Sequence, residues 1–282
     1  APRIRQDSPH HYKKSQGANM SHIPNLRTAG RESLTVRFSR AADLPDILSY
    51  YGANRHDAVD IRKADVTENA VKTGRFLLVR DKTGALRAGS ATYDFATASG
   101  ADKRGWSEMG TTRATLPGFS LYQFMVSSQV IREFLENTPT DRFFAIIDHD
   151  NDAVIKRLYQ TGWKDYVADQ HLVDALESTK DWHTDNAVVW RCATTDTLPH
   201  QARTVLAQIQ KGKLVNPRTG AEADLDFSQF PLANELLPHL QALAYGPFAD
   251  MLEKSPHLGL KSARALLDNH LKNSVQSPQP KP

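Results

Sequence analysis

Between Glu108 and Tyr122 the chain reads EMGTTRATLPGFSLY, and the helix-spaced run QFMVSSQVIREF follows at once. A strand that ends in a Pro-Gly turn and feeds a helix exposes several unpaired N–H groups where the helix begins. Those groups and the helix dipole suit an anion such as a diphosphate. Glu108, near the start of the strand, is a carboxylate able to act as a general base, directly or through water, when it is desolvated. Strand alternation predicts Glu108, Gly110, Thr112 and Ala114 on one face, and Met109, Thr111, Arg113 and Thr115 on the other. An N–H between Thr112 and Thr115 could then bond a carbonyl oxygen as charge develops on it. A second run, NDAVIKRLYQTGWKDY (151–166), places Asn151 near a helix start and the phenol of Tyr159 shortly before Gly162. His149 next to Asp150 is a further acid–base pair, although such neighbours more often serve a solvated loop. Tyr93 and Trp106 suit an acceptor pocket, and ordinary packing explains them equally well.

These groups need a scaffold, and its order can be read from periodicity. LTVRF, from Leu34, alternates like a half-buried strand. Asp43 and Pro45 open a helix whose Leu44, Ile47, Leu48 and Tyr51 share one face. Residues 57–73 predict a second helix, ending near Gly74. RFLLVR (75–80), a turn at 81–84 and residues 85–95 predict a hairpin. A strand at 107–115, a helix at 120–136, the apolar strand FFAII (143–147) and a helix at 151–161 come next. Two further strands, at 163–173 and 187–193, complete the set. The order β-α-α-β-β-β-α-β-α-β-β predicts an α/β (α+β) fold around a mixed, mostly antiparallel central sheet flanked by helices. From about residue 196 leucines recur at helical spacing between prolines, which predicts a C-terminal appendage of short or kinked helices over 196–272. Residues 1–33 and 273–282 are expected to be a disordered leader and tail.

Composition narrows the class. With 282 residues, 40% hydrophobic and 24% charged, the chain reads as an ordinary globular protein. Neither a membrane-spanning run nor an apolar signal-peptide core is visible, so a cytoplasmic location is expected, with export possible. The chain does not begin with Met, which suggests a fragment or a processed form. The formal charge of +3 is carried by the leader, where six basic residues face Asp7 and Glu32. Without interleaved aromatics such a leader argues little for nucleic acid. The single cysteine, Cys192, lies in an apolar run and is read as a buried structural thiol. The eleven histidines lack ligand spacing, so no metal is expected.

Taken with the order of elements, the two runs resemble the GNAT (Gcn5-related) N-acetyltransferases over residues 34–195. In that family a strand and a Gly-rich turn cradle the pantetheine and pyrophosphate of acyl-CoA. The resemblance implies acetyl-CoA as co-substrate, with Thr112, Arg113, Ala114, Thr115, Gly118, Phe119, Ser120, Leu121, Tyr122 and Asn151 around it. It further implies Glu108 as base and Tyr159 as the acid that protonates the departing thiolate. This turn is shorter than the family's, with one Gly where Gly-x-Gly or Gly-x-Ala is usual. Tyr159 also sits one step nearer the following glycine, so that Leu158 takes the usual Tyr position. The implied activity is transfer of an acyl group to an amine of a small molecule or a protein. A cofactor-free binding module and an exported bacterial effector that acetylates a host protein are the alternatives. The variable loops 52–74 and 96–107 would shape the acceptor site, and the sequence names neither acceptor nor oligomeric state.

Overall fold

Alternation decides the first strand. In β1 (Glu32–Phe38) Leu34, Val36 and Phe38 are buried while their neighbours are not. A computed structural model describes residues 32–54, 62–96, 105–136, 140–179 and 188–276. After β1 come helices α1 (Leu44–Ala53) and α2 (Ala64–Lys72), then strands β2 (Phe76–Asp81), β3 (Leu86–Ala96) and β4 (Gly105–Ala114). α3 (Tyr122–Leu135), β5 (Thr140–Asp148), α4 (Asp152–Gln160), β6 (Lys164–Tyr166), α5 (Gln170–Glu177) and β7 (Val188–Ala193) follow. The remainder forms α6 (Leu198–Lys211), β8 (Lys213–Val215), β9 (Glu222–Asp226), α7 (Leu237–Ala244), α8 (Pro247–Glu253) and α9 (Leu260–Gln276).

The described strands make one sheet in the order β6-β7-β5-β4-β3-β2-β1-β9-β8. All neighbours are antiparallel except β4·β5 and β1·β9. The fold is the mixed, mostly antiparallel α/β sheet that the sequence predicts. Helices cover both faces. On one, α1, α2 and α5 bury Ile47, Val71 and Leu172 against Phe76, Tyr93 and Phe144. On the other, α3 and the C-terminal helices close over Leu34, Val79, Met109 and Ala145. We refer to these as the α1 face and the α3 face.

Three expectations are corrected. Residues 163–173 are not one strand: pairing stops at Tyr166, and Asp169 then caps α5 by accepting the N–H of Leu172 at 2.9 Å. The segment from 196 is not purely helical, since β8 and β9 extend the sheet and β9 runs parallel to β1. Its helices α7 and α8 are short, as expected, but three of its prolines start helices instead of kinking them. Pro199, Pro238 and Pro247 all stand in first turns, where a missing N–H costs nothing. Order also reaches past the expected limits, with β1 beginning at Glu32 and α9 continuing to Gln276. Residues 1–31, 55–61, 97–104, 137–139, 180–187 and 277–282 lie outside the described residues, and with them most of the expected leader, part of the 52–74 loop and most of the 96–107 loop. No described helix is long and apolar enough to cross a membrane.

Candidate active site

β4 carries an irregularity that reorders its faces. Opposite β3, Gly110 pairs with Ala91 and Arg113 with Gly89, so Thr111 and Thr112 together face Ser90. This is a β-bulge, with Thr111 at φ 51°, a conformation few non-glycine residues adopt. Two tyrosines hold it. The hydroxyl of Tyr51 donates to the Thr111 carbonyl at 2.6 Å, and that of Tyr93 lies 3.0 Å from Thr111 Oγ1. Tyr51 reaches across β3 because Gly89 is bare: a Cβ there would lie 2.7 Å from the hydroxyl.

The bulge corrects the predicted alternation. Thr111 joins Glu108 and Gly110 on the α1 face, beside Tyr93 and Tyr51. Thr112 instead meets Ser90 at 2.9 Å, and Met109 meets Thr92, both on the α3 face. Ala114 pairs with Ala88 of the α3-face core.

Next to the bulge the sheet opens. The parallel ladder between β4 and β5 runs from Gly105 to Glu108 and ends at Glu108–Phe144, although β4 continues to Ala114 and β5 to Asp148. Beyond that point β5 follows β7. The N–H of Thr115 donates to Arg87 O at 2.8 Å, so alternation turns the amides of Ala114 and Thr112 away from β3, toward the side β5 has left. Thr115's own amide is thereby spent on β3, and it is not among those facing the gap.

Glu108 stands at the fork. It is 3% exposed, and Arg62 Nη2 donates to both carboxylate oxygens, at 2.5 Å to Oε2. The same guanidinium lies 5.5 Å from the centre of the Tyr93 ring. The bare Gly110 gives the carboxylate room, since a Cβ there would lie 3.1 Å from Oε1. Burial, with the Glu108 charge, pushes the Tyr93 phenol up to about 12 against its bond to Thr111 and the nearby Arg62 charge, which both lower it.

Downstream, Leu116–Leu121 form the turn into α3. Gly118 adopts φ 79°, which a glycine allows without strain. Phe119 N–H closes the turn onto Leu116 O at 3.3 Å, which removes it from the set of free amides. Pro117, Gly118 and Ser120 are exposed, Leu121 is buried and Tyr122 half-buried. No side-chain hydrogen bond caps α3 at Leu121, so the amides of its first turn have no side-chain partner among the described residues.

The later motif is placed differently. Asn151 caps α4, its side chain accepting from Val154 N–H, and so orders the chain where it leaves β5. Tyr159 is 45% exposed and donates to Asp165 Oδ1 at 2.5 Å, with the Arg191 guanidinium 4.7 Å above its ring. Asp165 also pairs with Arg191 at 2.7 Å. Arg191 alternates with Cys192, whose thiol belongs to the α1-face core, so this cluster lies on the α3 face, opposite Glu108. The bond to Asp165 pushes the Tyr159 phenol up, making it a poorer proton donor. Glu108 and Tyr159 are therefore not brought together. Leu158 is buried in the core.

His149 and Asp150 pair at 2.8 Å in an exposed turn after β5. Burial pushes the Cys192 thiol up, as befits an inert core residue. Among the described residues no group of three His, Cys, Asp or Glu suits a metal ion. The Trp106 side chain falls outside the described part of the structure.

Sequence reasoning gave no site role to Arg62, Thr111 or Tyr51. Gly89 and Gly110, small residues inside strands, are the signal that marks a close approach there.

No protein-family model matches the chain, and no curated protein matches it. Among solved structures it is similar to a GNAT-family acetyltransferase from Streptococcus pneumoniae, at 9% identity over 57% of this chain and 98% of that one, TM-score 0.41. It is similar to Arabidopsis thaliana Naa50 in complex with a bisubstrate analogue, at 11% identity over 57% and 99%, TM-score 0.42. A third is diaminobutyrate acetyltransferase from Paenibacillus lautus, with its substrate and coenzyme A, at 9% identity over 58% and 95%, TM-score 0.39.

Proposed function

We propose that this chain is an acetyl-CoA-dependent N-acyltransferase acting on an amine of a small molecule or a protein. The observation that carries the reading is the fork: the β4–β5 ladder ends at Glu108–Phe144, directly before the Thr111 bulge. A ladder that stops inside a sheet leaves an edge for an extended ligand, and pantetheine is extended and amide-bearing. Thr112 and Ala114 offer it their amides, and one of these stabilises the thioester oxygen as it becomes negative. The exposed Gly118 and Ser120 and the first amides of α3, beside Leu121 and Tyr122, hold the diphosphate. Arg113, Thr115, Phe119 and Asn151 shape this path and are not direct ligands.

In the reaction the amine nitrogen bonds to the thioester carbon, the carbon–sulfur bond breaks and the coenzyme A thiolate leaves. The proton lost by the amine passes to Glu108 through a water. Both carboxylate oxygens already accept from Arg62, yet each keeps a second lone pair. The thiolate takes its proton from solvent, because Tyr159 is committed to Asp165 on the other face.

Thermal unfolding with acetyl-CoA tests the reading. At one hundred times the dissociation constant the ligand adds about 2.7 kcal/mol, a midpoint rise of roughly 5–10 °C for a chain of this size. ATP and NAD at equal concentration leave the midpoint unchanged. A midpoint that acetyl-CoA does not move sinks the proposal.

A further inference from the structure

We infer that the β8–β9 turn is part of the proposed cofactor site, with Asn216 as the residue that positions the Pro117–Gly118 loop. The inference rests on the acetyl-CoA reading above.

A Cβ on Gly118 would lie 2.1 Å from Asn216 Nδ2 and 2.8 Å from its Cγ, so the amide occupies the place of the missing side chain. Nδ2 points at Pro117 O, 3.4 Å away. The amide has little freedom to do otherwise. Its Oδ1 accepts the N–H groups of Arg218 at 2.9 Å and Thr219 at 3.3 Å, an Asx-type turn that fixes the side chain. Asn216 N–H donates to Ala221 O at 2.8 Å, and its carbonyl accepts from Gly220 at 2.9 Å. The turn is anchored in turn by β9, whose Ala223 and Leu225 are buried where it pairs with β1.

The loop it braces is short, has one glycine and feeds a helix without a side-chain cap. A second glycine would let such a loop wrap an anion by its own flexibility. Here an external amide sets the peptide orientation instead, so that the Ser120 amide and the first amides of α3 are held in place before ligand arrives. Preorganisation of this kind acts on the part of the ligand that meets the loop, the diphosphate, and not on the thioester arm.

The test compares acetyl-CoA with S-acetylpantetheine, which carries the thioester arm without the diphosphate. Binding to the full chain is followed by calorimetry for the first and ligand-observed NMR for the second. Asn216→Ala should weaken acetyl-CoA by about fivefold to tenfold, the loss of one fixed hydrogen-bonding contact, and leave S-acetylpantetheine unchanged. Asn216→Ser keeps an oxygen to accept from residues 218 and 219 but no longer reaches Gly118, and it should give the same selective loss in a folded protein. Should wild type bind acetyl-CoA and Asn216→Ser bind it equally well, or lose both ligands by one factor, this inference falls alone. An Asn216→Ser chain that does not fold assigns the contact to folding only and overturns it as well. Wild type that fails to bind acetyl-CoA removes the proposed function and this inference together.

Discussion

A carboxylate buried between two strands is costly unless its charge is matched, and Arg62 matches that of Glu108 on both oxygens. The base role proposed for it depends on position, at the last paired residue before the sheet opens. Glu108→Gln is isosteric and should lower kcat/KM for an amine acceptor by about 10²- to 10⁴-fold, with acetyl-CoA affinity retained. Tyr159→Phe is the contrast. Its hydroxyl is held by Asp165, so turnover should stay within about twofold of wild type when steady-state rates are compared at saturating acetyl-CoA. A large loss in the phenylalanine variant, with Glu108→Gln unaffected, would reverse the assignment.

At the scale of elements, the join between β1 and α1 shows how charge fixes geometry. Asp43 ends a short 3₁₀ turn and is nearly buried. Arg37 donates to both its oxygens at 2.7 and 2.6 Å, the Arg40 amide donates at 2.7 Å and Arg80 at 2.9 Å. Burial raises its pKa, but the hydrogen bonds and the charges of Arg37 and Arg80 outweigh that and hold it at about 2. A depressed carboxylate stabilises the fold above its unfolded pKa of about 4, and that contribution disappears as pH falls to about 2. Asp43→Asn should therefore cost about 2 kcal/mol at neutral pH, with the gap to wild type closing between pH 4 and 2 in urea titrations. A gap independent of pH would mean that the carboxylate's charge is not what Asp43 contributes. The β4 bulge belongs to the same scale. Its φ 51° is sustained by hydroxyls from two other elements, Tyr51 of α1 and Tyr93 of β3.

For the whole molecule the main consequence is that the C-terminal third completes the core. β9 covers the edge of β1, α6 packs on α3, and Phe230 and Phe227 close an aromatic cluster with Phe38 and Phe124. The described residues from Glu32 on form one compact unit. Ending the chain at Thr195 would uncover Leu34, Val36 and Phe38, each worth about 1.5–3 kcal/mol when buried. The truncated protein should lose its cooperative unfolding transition, and Phe230→Ala in the full chain should cost about 3–5 kcal/mol. A shortened chain that melts cooperatively near the wild-type midpoint would show that residues 34–195 stand alone.

Element order through β6 was legible because it depends on local spacing, whereas α5, between β6 and β7, was read as strand. Leu34 and Val36 alternate, Ile47 and Tyr51 recur at helical period, and a turn separates β2 from β3. The turn at Gly118 and the position of Glu108 at the head of β4 were legible for the same reason. What the sequence determined by itself was thus the kind of element for most residues up to Tyr166. Tertiary structure decided which of them meet. The bulge that moves Thr111 beside Glu108 is made by hydroxyls 60 and 18 residues away in sequence. Arg62 reaches Glu108 across 46 residues, and Asn216 reaches Pro117 across 99. Such contacts leave no period in the sequence, because the entropy of closing a long loop is offset only by the assembled core. β8 and β9 are short for the same physical reason. Segments of three and five residues become strands only when an edge is there to pair with them, β1 for β9 and β9 in turn for β8.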